Sequence, residues 1–166
     1  MVTEVDHHSV KTRIKEILIA NATAYDSTGS PGKLVDVFVG RPYNDAISAH
    51  TTPYAFITND DNLEEMSAEG VVQSDTTTAT LHTVRYWIVM VDQAQDGRQV
   101  ERDLDDIGKN LIQVLKANFE LRKPTDSTDP KCSYSFPVRI STFDTTSNGK
   151  PLQGRIIHMK LLIHTS

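Results

Sequence analysis

Six histidines, one cysteine and several runs of carboxylates are the side chains of this 166-residue chain from which metal, nucleophilic or acid–base chemistry could be built. His7 and His8 adjoin near a helix start, so they point in different directions. No cysteine or further histidine lies within a few positions, as the spacing of a zinc site requires. His158 and His164 share one strand face but stand six residues apart, about 20 Å at 3.3 Å per residue, too far for joint ligation. They read as surface or interface residues, and whether His82 approaches either across the sheet is left open. Cys132 falls in a linker beside Lys131, and none of the twelve serines sits in a Gly-x-Ser-x-Gly elbow. Carboxylates cluster at Asp60-Asp61, at Glu64-Glu65 and at Asp103, Asp105 and Asp106. The first two clusters lie in a segment expected to be flexible, where catalytic geometry is poorly held. The third is accounted for by the helix dipole, which favours negative charge at a helix start. A calcium loop of Asp-x-Asp-x-Asp-Gly spacing is missing. Gly32-Lys33 precedes a strand rather than a helix, so it cannot serve as a phosphate loop. Nothing here supports an enzyme. No metal or cofactor is expected, and interaction or assembly is favoured.

The elements that position these groups follow from hydrophobic period. Val10, Ile14, Ile17, Leu18 and Asn21 form a helical stripe over about 6–23, with Asp6 or Ser9 as N-cap. Turn formers at Asp26 to Gly32 end it. Strands are expected at Lys33 to Val39 and at Pro53 to Thr58, the first alternating Val35, Val37 and Val39. The strongest strand is Thr80 to Gln93, with Trp87, Val89 and Val91 on one face and Tyr86, Ile88 and Met90 on the other. Apolar residues on both sides suit a central strand covered on each face, with His82 and Arg85 nearer solvent. Val100, Leu104, Ile107, Leu111, Val114, Leu115 and Asn118 then trace a second helix over Gln99 to Leu121. A linker at Lys123 to Lys131 leads to two closing strands. Pro137 marks an edge or a bulge in the first, because proline cannot donate to a ladder. Asn148-Gly149 turns into the last, Gly154 to His164. This order predicts an α+β fold in one domain over 1–166, with two helices on one face of a mostly antiparallel or mixed four- to five-stranded sheet.

Composition narrows the function classes. Hydrophobic residues at 38% and charged residues at 23% exclude collagen-like and disordered chains. Seventeen basic against 22 acidic residues leave a net charge of −5, which argues against a basic surface that holds nucleic acid. A single cysteine rules out an intramolecular disulfide. The longest apolar run, Tyr86 to Val91, is far short of the ~20 residues that cross a bilayer as a helix. With no leader pattern at the N-terminus, a soluble protein of a reducing compartment is expected.

The acidity is local. Asp60, Asp61, Glu64, Glu65, Glu69 and Asp75 all lie within 59–79, where no Lys or Arg occurs; outside it 17 basic residues meet 16 acidic. With few apolar residues, this stretch is expected to be a long flexible loop that serves as a contact segment.

The layout resembles the tail terminator (tail completion) proteins of long-tailed bacteriophages and related viruses. The resemblance rests on the amphipathic helix Val10 to Asn21 and the short strand ending at Val39-Gly40-Arg41-Pro42. It continues with the apolar strand Arg85 to Val91, directly followed by the helix Val100 to Phe119, and with two C-terminal strands. It covers about 6–166 as a pattern and a size, with no residue-level motif. It implies a structural virion protein, assembled in the host cytoplasm, that forms a homo-hexameric ring. Such a ring caps the tail tube, contacts the tail tube protein and a head-closure or neck protein, and lets DNA pass its lumen unread. It implies no catalytic residue, cofactor or membrane. A head-closure or neck adaptor is the nearest alternative, and a small-molecule-binding domain using the sheet's exposed face is one of a different class.

Overall fold

The computed structural model describes residues 4–41, 51–74, 77–93, 97–121, 132–147 and 150–165. Helix α1 spans His7–Ile19, β1 Asp36–Val39, β2 Tyr54–Ser74, β3 Thr77–Gln93, α2 Gly97–Ala117, β4 Cys132–Ser147 and β5 Lys150–Thr165. The strands form one sheet in the order β1-β2-β3-β5-β4. Among these five strands β1 and β2 pair in parallel and the other neighbours pair antiparallel. The α+β class and the helix pair over a mixed sheet are as the sequence predicts.

Asp6 caps α1 by accepting from the Ser9 backbone N–H at 3.1 Å and the Ser9 hydroxyl at 2.7 Å. The helix buries Val10, Ile14, Ile17 and Leu18 and stops at Ile19, four residues before the expected end. Asn21 is the reason: its side chain accepts from the Thr23 backbone N–H at 3.1 Å, a local bond that competes with helix continuation. Helix α2 begins two residues earlier than expected, so Glu101, Asp103, Asp105 and Asp106 miss its first turn. The dipole reading is therefore replaced by specific contacts. Asp105 accepts from Arg155 at 3.2 Å, and Asp103 accepts from the Gln99 amide at 2.7 Å.

The larger correction concerns 59–79. Instead of a flexible loop, β2 continues through it and pairs with β3, from Glu64 opposite Val84 to Ser74 opposite Thr77. The chain therefore meets its backbone hydrogen bonds in a hairpin ladder, which needs no apolar side chains of its own. Asp60, Asp61, Glu64, Glu65 and Glu69 are strand residues; Asp75 lies outside the described residues. The Lys123 to Lys131 linker and the Asn148-Gly149 turn also lie outside them, although Ser147 faces Lys150 across the β4–β5 ladder. Cys132 opens β4 rather than sitting in the linker. Pro137 sits at a register shift of β4, an edge strand, as a residue without an N–H should.

The two sheet faces differ. Both helices pack on the face carrying Ile57, Tyr86, Ile88, Met90, Ile157, Met159 and Leu161. The opposite face gathers Tyr54, Val89, Val91 and Leu152 with half-buried Phe38, Phe56, Trp87, Phe143 and Ile156, and no helix residue joins this cluster. The expectation that β3 is covered on both sides is thus corrected: it is central, but among the described residues only one face has a helix layer. At Gly154 the Phe143 ring lies where a β-carbon would stand, so only glycine admits that aromatic on the open face.

Candidate functional site

Two clusters of chemically capable side chains form, one on each face. The first arises from an irregularity in β2. Asn59 pairs with Tyr86 and Glu64 with Val84, so four residues of β2 stand opposite Arg85 alone. In a regular ladder Asp61 would face Val84. The bulge puts Glu64 there instead and turns its carboxylate under the start of α1.

Each oxygen of Glu64 meets a different imidazole. His7 Nε2 lies 2.9 Å from Oε2, and His82 Nδ1 bonds Oε1 at short range. His7 Nδ1 lies 2.8 Å from the Tyr86 hydroxyl. Neutral imidazoles satisfy all of these contacts: Tyr86 O–H donates to His7 Nδ1, and His7 Nε2–H and His82 Nδ1–H donate to Glu64. Lys11 extends the network, donating to Asn59 at 2.8 Å with its ammonium 5.9 Å from the centre of the Tyr86 ring. Burial holds the Lys11 pKa below its ordinary value. For Glu64 burial acts upward, but the hydrogen bonds from His82 and His7 outweigh it and hold the carboxyl below its ordinary range.

His82 is 1% exposed, not near solvent, and Glu64 is held from both sides. These two expectations are corrected by the same bulge. Period-2 patterning cannot register an insertion inside a strand, so the sequence reading missed the cluster. Its one visible signal was a histidine on the same side of β3 as Val84 and Tyr86. The two imidazoles bind separate oxygens rather than converging on one point. Among the described residues no group of three or more His, Cys, Asp or Glu is placed to hold a metal ion.

The second cluster sits on the open face. The ladder brings Thr58, Trp87, His158 and Arg139 into one row across four strands. His158 Nε2 lies 2.8 Å from Ser141 Oγ, and Arg139 lies 3.4 Å from Nδ1. A serine beside a histidine invites a nucleophile–base reading, but the proton is in the wrong place. Arginine only donates, so Nδ1 is the acceptor and Nε2 carries the hydrogen that bonds Ser141. An Nε2–H cannot take the serine proton. Burial, and then the Arg139 charge, push the His158 pKa down, so the ring stays neutral at pH 7. The edge of Trp87 meets His158 with centroids 5.7 Å apart. His82 faces the helices while His158 faces away, so the two do not meet.

The next row carries charge. Arg85, Lys160 and Phe136 are side by side, with Thr83, Leu162 and Tyr134 beyond them. Glu65 pairs with Arg85 at 3.3 Å. A hydrogen bond from Asn62 and the charges of Arg85 and Lys160 hold the Glu65 carboxyl below its ordinary value. Tyr134, Val138 and Ile140 leave about half of their surface exposed along edge strand β4. Asp60 lies close enough to favour a charged His158, while Asp61 is exposed. Of the six acidic candidates, Glu64 alone joins the helix-side cluster, and the side chains of Glu69 and Asp75 lie outside the described residues. An open groove of about 680 Å³ between α1 and β1 has Ile19 and Phe38 as its apolar wall and Lys15 and Glu16 among its polar residues. It contains no member of the Glu64 or His158 hydrogen-bonded groups. No helix among the described residues is long and apolar enough to cross a membrane.

No family model matches the chain, and no curated protein matches it. Among solved structures, the chain is similar to one from the "Virion of native gene transfer agent (GTA) particle". The TM-score is 0.49 at 10% identity, over 96% of this chain and 99% of that one.

Proposed function

We propose that this protein is a structural virion subunit of tail-terminator type, a ring former that caps a tail tube and joins it to the head or neck. The sequence layout supports the reading, and one structural observation carries it: the β2–β3 hairpin runs on past its neighbours. Strand β1 pairs with β2 only through Ile57, and β5 pairs with β3 only as far as Thr80. Beyond those points no other described strand pairs with the outer edge of β2, and then the two strands pair only with each other among the described residues. A two-stranded ribbon is marginal by itself in water, and a free edge is a template for pairing. An arm of this kind suits a subunit whose partners complete it. Its acidity keeps it soluble and unaggregated until they arrive.

In this reading the subunit works by contact rather than by catalysis, and DNA crosses the ring lumen without being held. Light scattering with negative-stain microscopy tests it. The expected result is rings of about six subunits, formed by the protein alone or on tail tubes; the stoichiometry comes from the resemblance. A monomer that neither self-associates nor binds tubes overturns the proposal.

A further inference from the structure

Resting on that reading, we infer that the outer edge of β4 receives the outer edge of the β2 arm from a second copy of this chain. Both halves of the contact are present on one molecule. Strand β4 ends the sheet on one side, and no described strand pairs with the outer side of its 16 residues. On the other side β1 covers β2 only through Ile57, so no described strand pairs with the outer side of β2 from Thr58 to Ser74. Strand β1 itself is blunted. It is four residues long, and its Val37 N–H donates to the carboxylate of its own Asp36 at 2.8 Å.

The exposed apolar side chains gather at these two edges. Among the described residues five large hydrophobics are exposed, and three of them, Tyr134, Val138 and Ile140, belong to β4. Phe119 lies against Tyr134 with ring centroids 5.4 Å apart, and Met66 belongs to the arm of β2. Apolar side chains beside an unpaired ladder are what a joining strand buries.

Polarity and charge select the pairing. Strands β2 and β3, β3 and β5, and β5 and β4 are each antiparallel, so β4 runs opposite to β2. Copies that point the same way along a ring axis therefore set β4 of one against β2 of the next as an antiparallel pair. Within one copy the two edges stay apart, with β3 and β5 between them. Two arms repel, since 59–79 has six carboxylates and no Lys or Arg. Strand β4 carries exposed Arg139 and exposed Asp144 and no other charge, so it admits an acidic edge and offers it one cation. The contact joins unlike surfaces, which generates a ring when the rotation closes, and each subunit then has both edges paired.

Blocking each edge tests the pairing. One variant, Val138→Lys with Ile140→Lys, places two cations on the β4 edge; a second, Asp61→Lys with Met66→Lys, places two on the arm. All four side chains are exposed, and none belongs to the Glu64 network. Each variant alone is expected to stay a monomer in light scattering while keeping the wild-type circular dichroism and melting profile. An equimolar mixture is expected to give a particle of twice the monomer mass and nothing larger, because one intact arm then meets one intact β4. If wild type forms rings and both variants alone do so equally, this inference falls while the ring reading stands. If wild type never assembles, with or without tubes, both fall. If the arm variant dimerises by itself, β4 pairs with β4 and the inference is overturned. If the mixture stays monomeric, the two edges are not partners.

Discussion

The helix-covered face and the open face of the sheet are made from alternate residues of the same strands, yet they are finished differently. Under the helices, polar groups brought inward are tied to one another: Glu64 to His7 and His82, Tyr86 to His7, Asp105 to Arg155. On the other face, Trp87 Nε1 is buried without a hydrogen bond and Lys160 has no ion-pair partner among the described residues, although Arg85 Nη1 pairs with Glu65 at 3.3 Å. The chain's own folding closes one face. The other has no helix layer among the described residues.

Truncation of one isoleucine on each face should break this comparison most decisively if it is wrong. Ile88 is fully buried beneath the helices, whereas Ile156 is half-buried in the open cluster. Ile88→Ala should destabilise the monomer by about 2–5 kcal/mol, the range for a core isoleucine cut to alanine. Ile156→Ala should cost about 1 kcal/mol or less, because much of its surface is already in water. Denaturant midpoints at equal m-value measure both. Equal losses would mean that the open face is a second core.

How much of this was legible in the sequence follows from what each signal encodes. The stripes of Val10, Ile14, Ile17 and Leu18 and of Val100 through Leu115 report burial directly, so both helices were found and only their ends moved. The alternation in Tyr86 to Val91 sorted the two faces of β3 correctly. It could not say which face has a helix layer, because an apolar face with a helix layer and one without read alike. The arm was misread for a different reason. Strand pairing there is held by the backbone ladder, and a polar Thr- and Glu-rich segment gives no burial signal to mark it. The Glu64 cluster was hidden by the bulge, which depends on pairing across strands.

A test of intermediate size concerns that cluster. Its Glu64 carboxyl titrates below the ordinary carboxylate value, so its contribution is fully present above about pH 4.5 and is lost as pH falls through the lower folded value. Glu64→Gln at pH 7 should cost about 1–3 kcal/mol, since it removes the charge that both imidazoles bond. The variant's stability should also fall less steeply than the wild type's between about pH 5 and pH 3, the range in which the wild type loses this contribution. Denaturant titrations across that interval compare the slopes. Identical slopes would show that the network is not what ties the arm's base to α1.

The smallest expected effect separates the faces at adjacent residues. Tyr86 and Trp87 are neighbours in β3, and each carries one polar atom on an otherwise apolar ring. Tyr86→Phe removes a hydroxyl that donates to His7 Nδ1 at 2.8 Å and leaves that nitrogen without its donor. It should cost about 1 kcal/mol, the net value of one hydrogen bond plus the penalty on the partner left behind. Trp87→Phe removes an Nε1–H that has no hydrogen bond among the described residues, so the lost ring area is offset by relief of an unsatisfied donor. The monomer's stability should then change by no more than about 0.5 kcal/mol. Melting curves of the two variants measure the contrast: Tyr86→Phe should lower the melting temperature, whereas Trp87→Phe should melt as wild type. If the effects ran the other way, the contrast between the two faces would be reversed.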